Sequence, residues 1–158
     1  MQSFNGIFMR EAIRIAAESM RSGRGGPFGA LVVKDQQIVG RGSNQVTSTN
    51  DPTAHAETVA IREACQRLGD FRLEGCQLYA TCEPCPMCLG AIYWARLGKL
   101  FYAATRKEAA EAGFSDDFIY REIGLPPGGR ELPSEQWLQP EALALFAEWK
   151  LQPNKILY

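Results

Sequence analysis

Residues 77–104 read QLYATCEPCPMCLGAIYWARLGKLFYAA, and their order decides the fold. Gln77 to Cys82 reads as a strand, Pro86 opens a helix that runs to about Arg96, and Lys99 to Ala104 reads as a second strand. Upstream, Asp51, Pro52 or Thr53 starts another helix; Ile61, Cys65 and Leu68 give it a core stripe, and Gly69 stops it. Further upstream, Phe28–Lys34 and Ile38–Arg41 flank the turn Asp35-Gln36-Gln37 as a hairpin, and residues 42–52 are polar and irregular. Residues 4–21 form an amphipathic helix with Met9, Ile13, Ala16 and Met20 on its apolar face. The Gly-rich stretch 22–27 that follows lacks the Gly-Lys-Ser/Thr ending of a phosphate loop. Helices alternating with strands imply a three-layer α/β domain with a partly parallel sheet. After Ala104 the chain is partly helical over 106–123, loops at 124–129, and ends in a helix over 140–150 and an apolar tail. Residues 1–158 read as a single domain, in which 130–158 is a C-terminal helix and tail.

Composition narrows the classes. The chain has 158 residues, 46% hydrophobic and 22% charged, with 17 Lys+Arg against 18 Asp+Glu, so it is an ordinary globular sequence of net charge −1. No apolar run approaches the ~20 residues of a membrane span. The first residues carry no basic region followed by an apolar stretch, which argues against a signal peptide. The near-zero charge argues against a protein that coats nucleic acid. There is one histidine, His55, and five cysteines, three of them at 82, 85 and 88. An odd cysteine count without a secretion signal points to a reducing compartment, hence the cytoplasm.

Two short motifs carry chemistry: His55-Ala56-Glu57 at one helix start and Pro84-Cys85-Pro86-Met87-Cys88 at the next. Zinc accepts imidazole nitrogen and thiolate sulfur tetrahedrally, and a catalytic site keeps one position for water. His55, Cys85 and Cys88 are three such ligands. The Cys-x-x-Cys spacing lets one helical turn bring both sulfurs to one ion, and a helix N-terminus favours thiolate. A carboxylate at Glu57, in the first turn, reaches the same point and can relay protons.

This constellation resembles the cytidine-deaminase-like zinc deaminases, whose signature H-x-E…P-C-x-x-C uses the Glu as acid/base and not as a ligand. The resemblance implies an α-β-α sandwich with a mixed sheet of about five strands, and one zinc per subunit with a water in its fourth position. The strings Gly26–Ala30 (GPFGA), Asp51–Glu57 (DPTAHAE), Cys82–Ala95 (CEPCPMCLGAIYWA) and Glu111–Tyr120 (EAGFSDDFIY) look like the bacterial guanine deaminase branch. DPTAHAE is shared with tRNA adenosine deaminases and does not discriminate. For guanine, Glu57 would be catalytic. Asp116, or its neighbour Asp117, would accept from the base's N–H groups, and Asn44 could donate or accept. Phe28 and Trp94 would provide walls, although Trp94 could equally be core. The Ala56 N–H and Glu83 carbonyl would hold polar groups of the substrate. Tyr158 would close an active site, its own or a partner's. The resemblance also implies a homodimer, with loop 124–129 leaving room for exchange of the C-terminal element.

Other readings stay open. A purely structural zinc site would recruit a fourth protein ligand, for which Cys82 is the candidate. A metal-free thiol pair would leave His55 and Glu57 unexplained. A tRNA adenosine deaminase should carry basic residues near its C-terminus, yet residues 105–158 hold 6 basic and 9 acidic groups, a charge of −3. A small purine base is the expected partner, without nucleic acid or membrane. A pterin, a triazine or another small base remains a possible substrate, and a non-enzymatic zinc module has no need of Glu57.

Overall fold

A computed structural model describes residues 3–114 and 116–157 of the chain. The chain divides into two compact units, one through Asp117 and the other from Phe118.

The first unit is built on one mixed sheet of four strands: β1 (Gly29–Lys34), β2 (Gln37–Ser43), β3 (Gln77–Cys82) and β4 (Lys99–Ala104), in the order β2-β1-β3-β4. β1 pairs antiparallel with both β2 and β3, and β3 pairs parallel with β4. That parallel pair requires a crossover, which is helix α4 (Pro86–Trp94). The two-residue hairpin between β1 and β2 turns through positive φ at Asp35 (48°) and Gln36 (61°), the conformation that matches strand twist.

The central run Ala30-Leu31-Val32-Val33 is apolar throughout because both faces of the sheet are covered. Ala30 and Val32 pack with Leu78 against helix α3 (Ala56–Leu68) and with Ile92 and Ala95 of the α4 segment. Leu31, Val33 and Tyr79 pack on the opposite face with Phe8, Met9 and Ala12 of α1 (Gly6–Arg21). The three layers expected from the sequence are therefore present.

Several details differ from expectation. Four strands, not about five, are found among the described residues. After Ala104 the chain is helical as expected, Thr105 and Glu108 forming a reciprocal capping box that starts α5 (Arg106–Glu111). The buried face of α1 is Phe8, Met9, Ala12, Ala16 and Ser19, whereas Ile13 and Met20 are 48% and 45% exposed. The buried arc includes a serine, which hydrophobicity alone does not select; its hydroxyl bonds the Asn44 carbonyl. Within the polar stretch, Val46–Thr49 forms a short helix, α2. α3 begins at Ala56, not at 51–53, because Asp51 serves a tight turn: its Oδ1 accepts from Thr53 N at 2.8 Å and Thr53 Oγ1 at 2.7 Å.

The second unit contains most of α6 (Asp117–Ile123), a short 3-10 turn (Pro127–Gly129) and α7 (Gln139–Leu151). Leu143, Leu145, Phe146 and Leu151 of α7 are all exposed.

α3 lies unusually close to β2. A Cβ at Gly42 would stand 1.9 Å from the Ala56 carbonyl oxygen, and one at Gly40 2.2 Å from that of Ala60. The helix answers with Ala56, Ala60 and Ala64 on the facing side. Gly42→Ala should therefore push α3 off the sheet and cost about 1–3 kcal/mol, as overpacking does. Chemical denaturation should show it against Gly90→Ala, where an added Cβ meets nothing within 4 Å and stability should hold or rise.

Candidate active site

Two helix starts converge on one point. His55 is the N-cap of α3 and Cys85 the N-cap of α4. Their carbonyls accept the first helical bonds, from Val59 N at 3.0 Å and Leu89 N at 2.8 Å. Neither side chain caps its helix, unlike the usual Ser, Thr, Asp or Asn. Both side chains are thus available elsewhere. The Thr58 hydroxyl steadies the entry to α3 by donating to the carbonyls of Thr53 (2.5 Å) and His55 (2.9 Å).

The donor atoms of His55, Cys85 and Cys88 lie within 4.8 Å of one another, and among the described residues this is the only such cluster of three or more His, Cys, Asp or Glu. His55 Nδ1 and Cys85 Sγ are 3.6 Å apart. Tetrahedral zinc, with Zn–S of about 2.3 Å and Zn–N of about 2.0–2.1 Å, needs these atoms about 3.6 Å apart. The donor set therefore fits zinc with Nδ1 as the imidazole ligand. Cys82, the candidate fourth ligand of a structural site, is not in the cluster; its thiol points to the Thr105 carbonyl at 3.7 Å.

The electrostatics agree with this chemistry. The Cys88 thiol bonded to Cys85, with help from His55, holds the Cys85 thiol well below its usual range, which favours thiolate there. The same bond and burial push the Cys88 thiol up. The bond to Cys85 raises His55. Burial raises the carboxyl of Glu57, which is 8% exposed. Burial also pushes Cys82 up to about 11, which keeps it a thiol.

A cavity of about 70 Å³ opens beside this cluster, lined by Phe28, Asn44, His55, Glu57, Cys82, Glu83, Cys85, Phe114 and Asp116. Asp116 lies on the cavity, with its carboxyl raised by burial, while Asp117 Oδ1 sits 3.9 Å from Arg106 Nε. Asn44 is more restricted than its side-chain chemistry suggests. Its Oδ1 accepts from the N–H groups of Gly26 and Val46, each at 3.3 Å, so its amide N–H donors are what it has left to offer. The Glu83 carboxylate accepts from Arg106 N at 3.1 Å. Ala56 is buried as the first residue of α3.

Trp94 does not line the cavity. It ends α4, at the far end from Cys85, and is 65% exposed. Tyr158 lies outside the described residues. Phe114 lines the cavity without having been singled out as a site residue from sequence, and Cys82, weighed there only as a fourth metal ligand, lines it too. Phe114 stands two residues before Asp116, and that spacing was the available signal.

Comparison with known proteins agrees with this geometry. Residues 3–104 match the cytidine and deoxycytidylate deaminase zinc-binding region. The chain is 53% identical over 151 residues to guanine deaminase of Bacillus subtilis (strain 168), covering 96% of this chain and 97% of that one. The X-ray structure of guanine deaminase from Bacillus subtilis superposes with a TM-score of 0.95 at 51% identity, covering 99% of both chains. A tRNA-specific adenosine deaminase of Aquifex aeolicus (strain VF5) is 44% identical over 101 residues, covering 64% of this chain and 66% of its own. The chain accordingly belongs to the zinc-binding cytidine and deoxycytidylate deaminase family, a family of hydrolytic deaminases.

Proposed function

We propose that this protein is a zinc-dependent guanine deaminase that converts guanine and water to xanthine and ammonia. The observation that carries the reading is the full-length likeness to guanine deaminase. Likeness to tRNA deaminases is weaker: that of Aquifex aeolicus is 44% identical, against 53% for the guanine deaminase. The acidic balance of residues 105–158 also favours a free base over a polynucleotide.

His55, Cys85 and Cys88 hold the zinc in this reading. The bound ion supplies Lewis-acid activation of a water molecule for hydrolysis. Glu57 moves the protons. It takes one from the water as the C2–O bond forms and gives it to a ring nitrogen of guanine. The second proton passes from the new hydroxyl through the same carboxylate to the amino group, the C2–N bond breaks, and ammonia leaves. Asp116 is an acceptor for the N–H donors of guanine, and Asn44 donates to an acceptor on the base. Phe28 gives an apolar wall, and the Ala56 N–H and Glu83 carbonyl hold polar edges of the substrate.

Glu57→Gln should keep stoichiometric zinc and lose at least about 10²-fold in kcat for guanine, the scale of a lost general acid–base group. Ammonia release and metal analysis measure the two. Cys85→Ala should lose zinc and activity together, and full zinc with full activity in that variant would defeat the ligand assignment. Turnover of a tRNA anticodon hairpin with none of guanine would defeat the substrate assignment.

The protein would work as a cytoplasmic homodimer, with residues 130–158 packing on or exchanging with the partner and Tyr158 closing a site. No helix among the described residues is long and apolar enough to cross a membrane. The exposed Leu143, Leu145 and Phe146 of α7 support a second copy as their cover. Deleting residues 151–158 should raise KM for guanine or abolish turnover while zinc is retained. Unchanged kinetics would reject that role for the tail.

A further inference from the structure

We propose that Phe114 positions the substrate by fixing the plane of the bound purine, with Phe28 as its perpendicular partner. The inference rests on the reading of the cavity as a purine site. Both rings line that cavity, their centroids 4.7 Å apart and their planes at 81°. A flat base stacked on the face of one ring therefore turns its own edge toward the other ring. Ring faces carry negative charge and ring edges positive charge, so the corner favours one orientation of the base plane.

Phe114 is held in place by its own backbone. Its N–H donates to the Ala109 carbonyl at 3.0 Å, closing the end of α5. Two residues on, Asp116 reaches the same cavity, so one short segment supplies both an aromatic surface and an acceptor. The ring orients the base in its plane, and the acid reads its edge.

The pair can be perturbed without altering either ring. A Cβ at Gly26 would lie 3.3 Å from Phe28 Cδ2 and 3.5 Å from Phe114 Cε1. Gly26→Ala therefore presses on Phe28 and comes into van der Waals contact with Phe114.

The test is steady-state kinetics and xanthine inhibition on zinc-loaded, full-length variants. Phe114→Ala should raise KM for guanine and the inhibition constant for xanthine by about 5- to 150-fold, the range of base–aromatic stacking, with a smaller change in kcat. Phe114→Tyr should keep KM close to wild type, and Phe114→Leu, which keeps apolar area without a ring, should fall between. Gly26→Ala, which crowds Phe28, should raise KM with zinc content unchanged, and the Phe114→Tyr and Phe114→Leu pair carries the test if Phe114→Ala does not fold. A Phe114→Ala variant with wild-type KM, or a Phe114→Leu variant equal to wild type, would overturn the proposal while leaving guanine deamination intact. Wild-type protein that does not turn over guanine would instead overturn the underlying functional reading.

Discussion

The distance between α3 and β2 is the constraint on which the site depends. Gly40 and Gly42 present bare backbone to the helix, and Ala56 and Ala60 press their carbonyls into that space. No side chain larger than hydrogen fits between. Because α3 can lie so close, its first turn reaches the ends of the strands, where α4 also begins. His55 and Glu57 then stand beside Cys85 and Cys88. A shift of α3 by the size of one methyl group would separate the imidazole from the sulfurs.

The same arrangement sacrifices helix capping. Replacing a good N-cap costs about 0.5–2 kcal/mol, and here two adjoining helices begin without a side-chain cap. Their N-termini instead concentrate partial positive charge where a thiolate and a carboxylate must be kept. The surrounding structure compensates locally. Thr58 secures the turn into α3, and Pro86 at the start of α4 lacks an N–H that would otherwise need a partner. A metal held by His55, Cys85 and Cys88 would link the two helix starts.

Around this centre the cavity sorts its polar groups by direction. Asn44 has its acceptor committed to the backbone and offers donors. Asp116 offers an acceptor, while Asp117 lies near Arg106. The aromatic pair supplies surface without competing hydrogen bonds. A planar molecule with donors on one edge and acceptors on another matches that division, which is the hydrogen-bonding character of guanine.

The sequence by itself determined the alternation of helices and strands, because strand β3, helix α4 and strand β4 each carry their own local signals over residues 77–104. It also determined which residues could be metal donors, since one histidine and a Cys-x-x-Cys leave few choices. Tertiary structure decided what local patterns do not encode. It turned the face of α1 by packing a serine against Asn44. It placed Trp94 away from the cavity, since a residue at the far end of a ligand-bearing helix is carried off by the helix's own length. It put Asp116 on the cavity and Asp117 near Arg106, and it added Phe114 and Cys82 to the lining. Those outcomes follow from which backbone segments meet in space, and contacts between segments distant in sequence leave no mark in the spacing of residues along the chain.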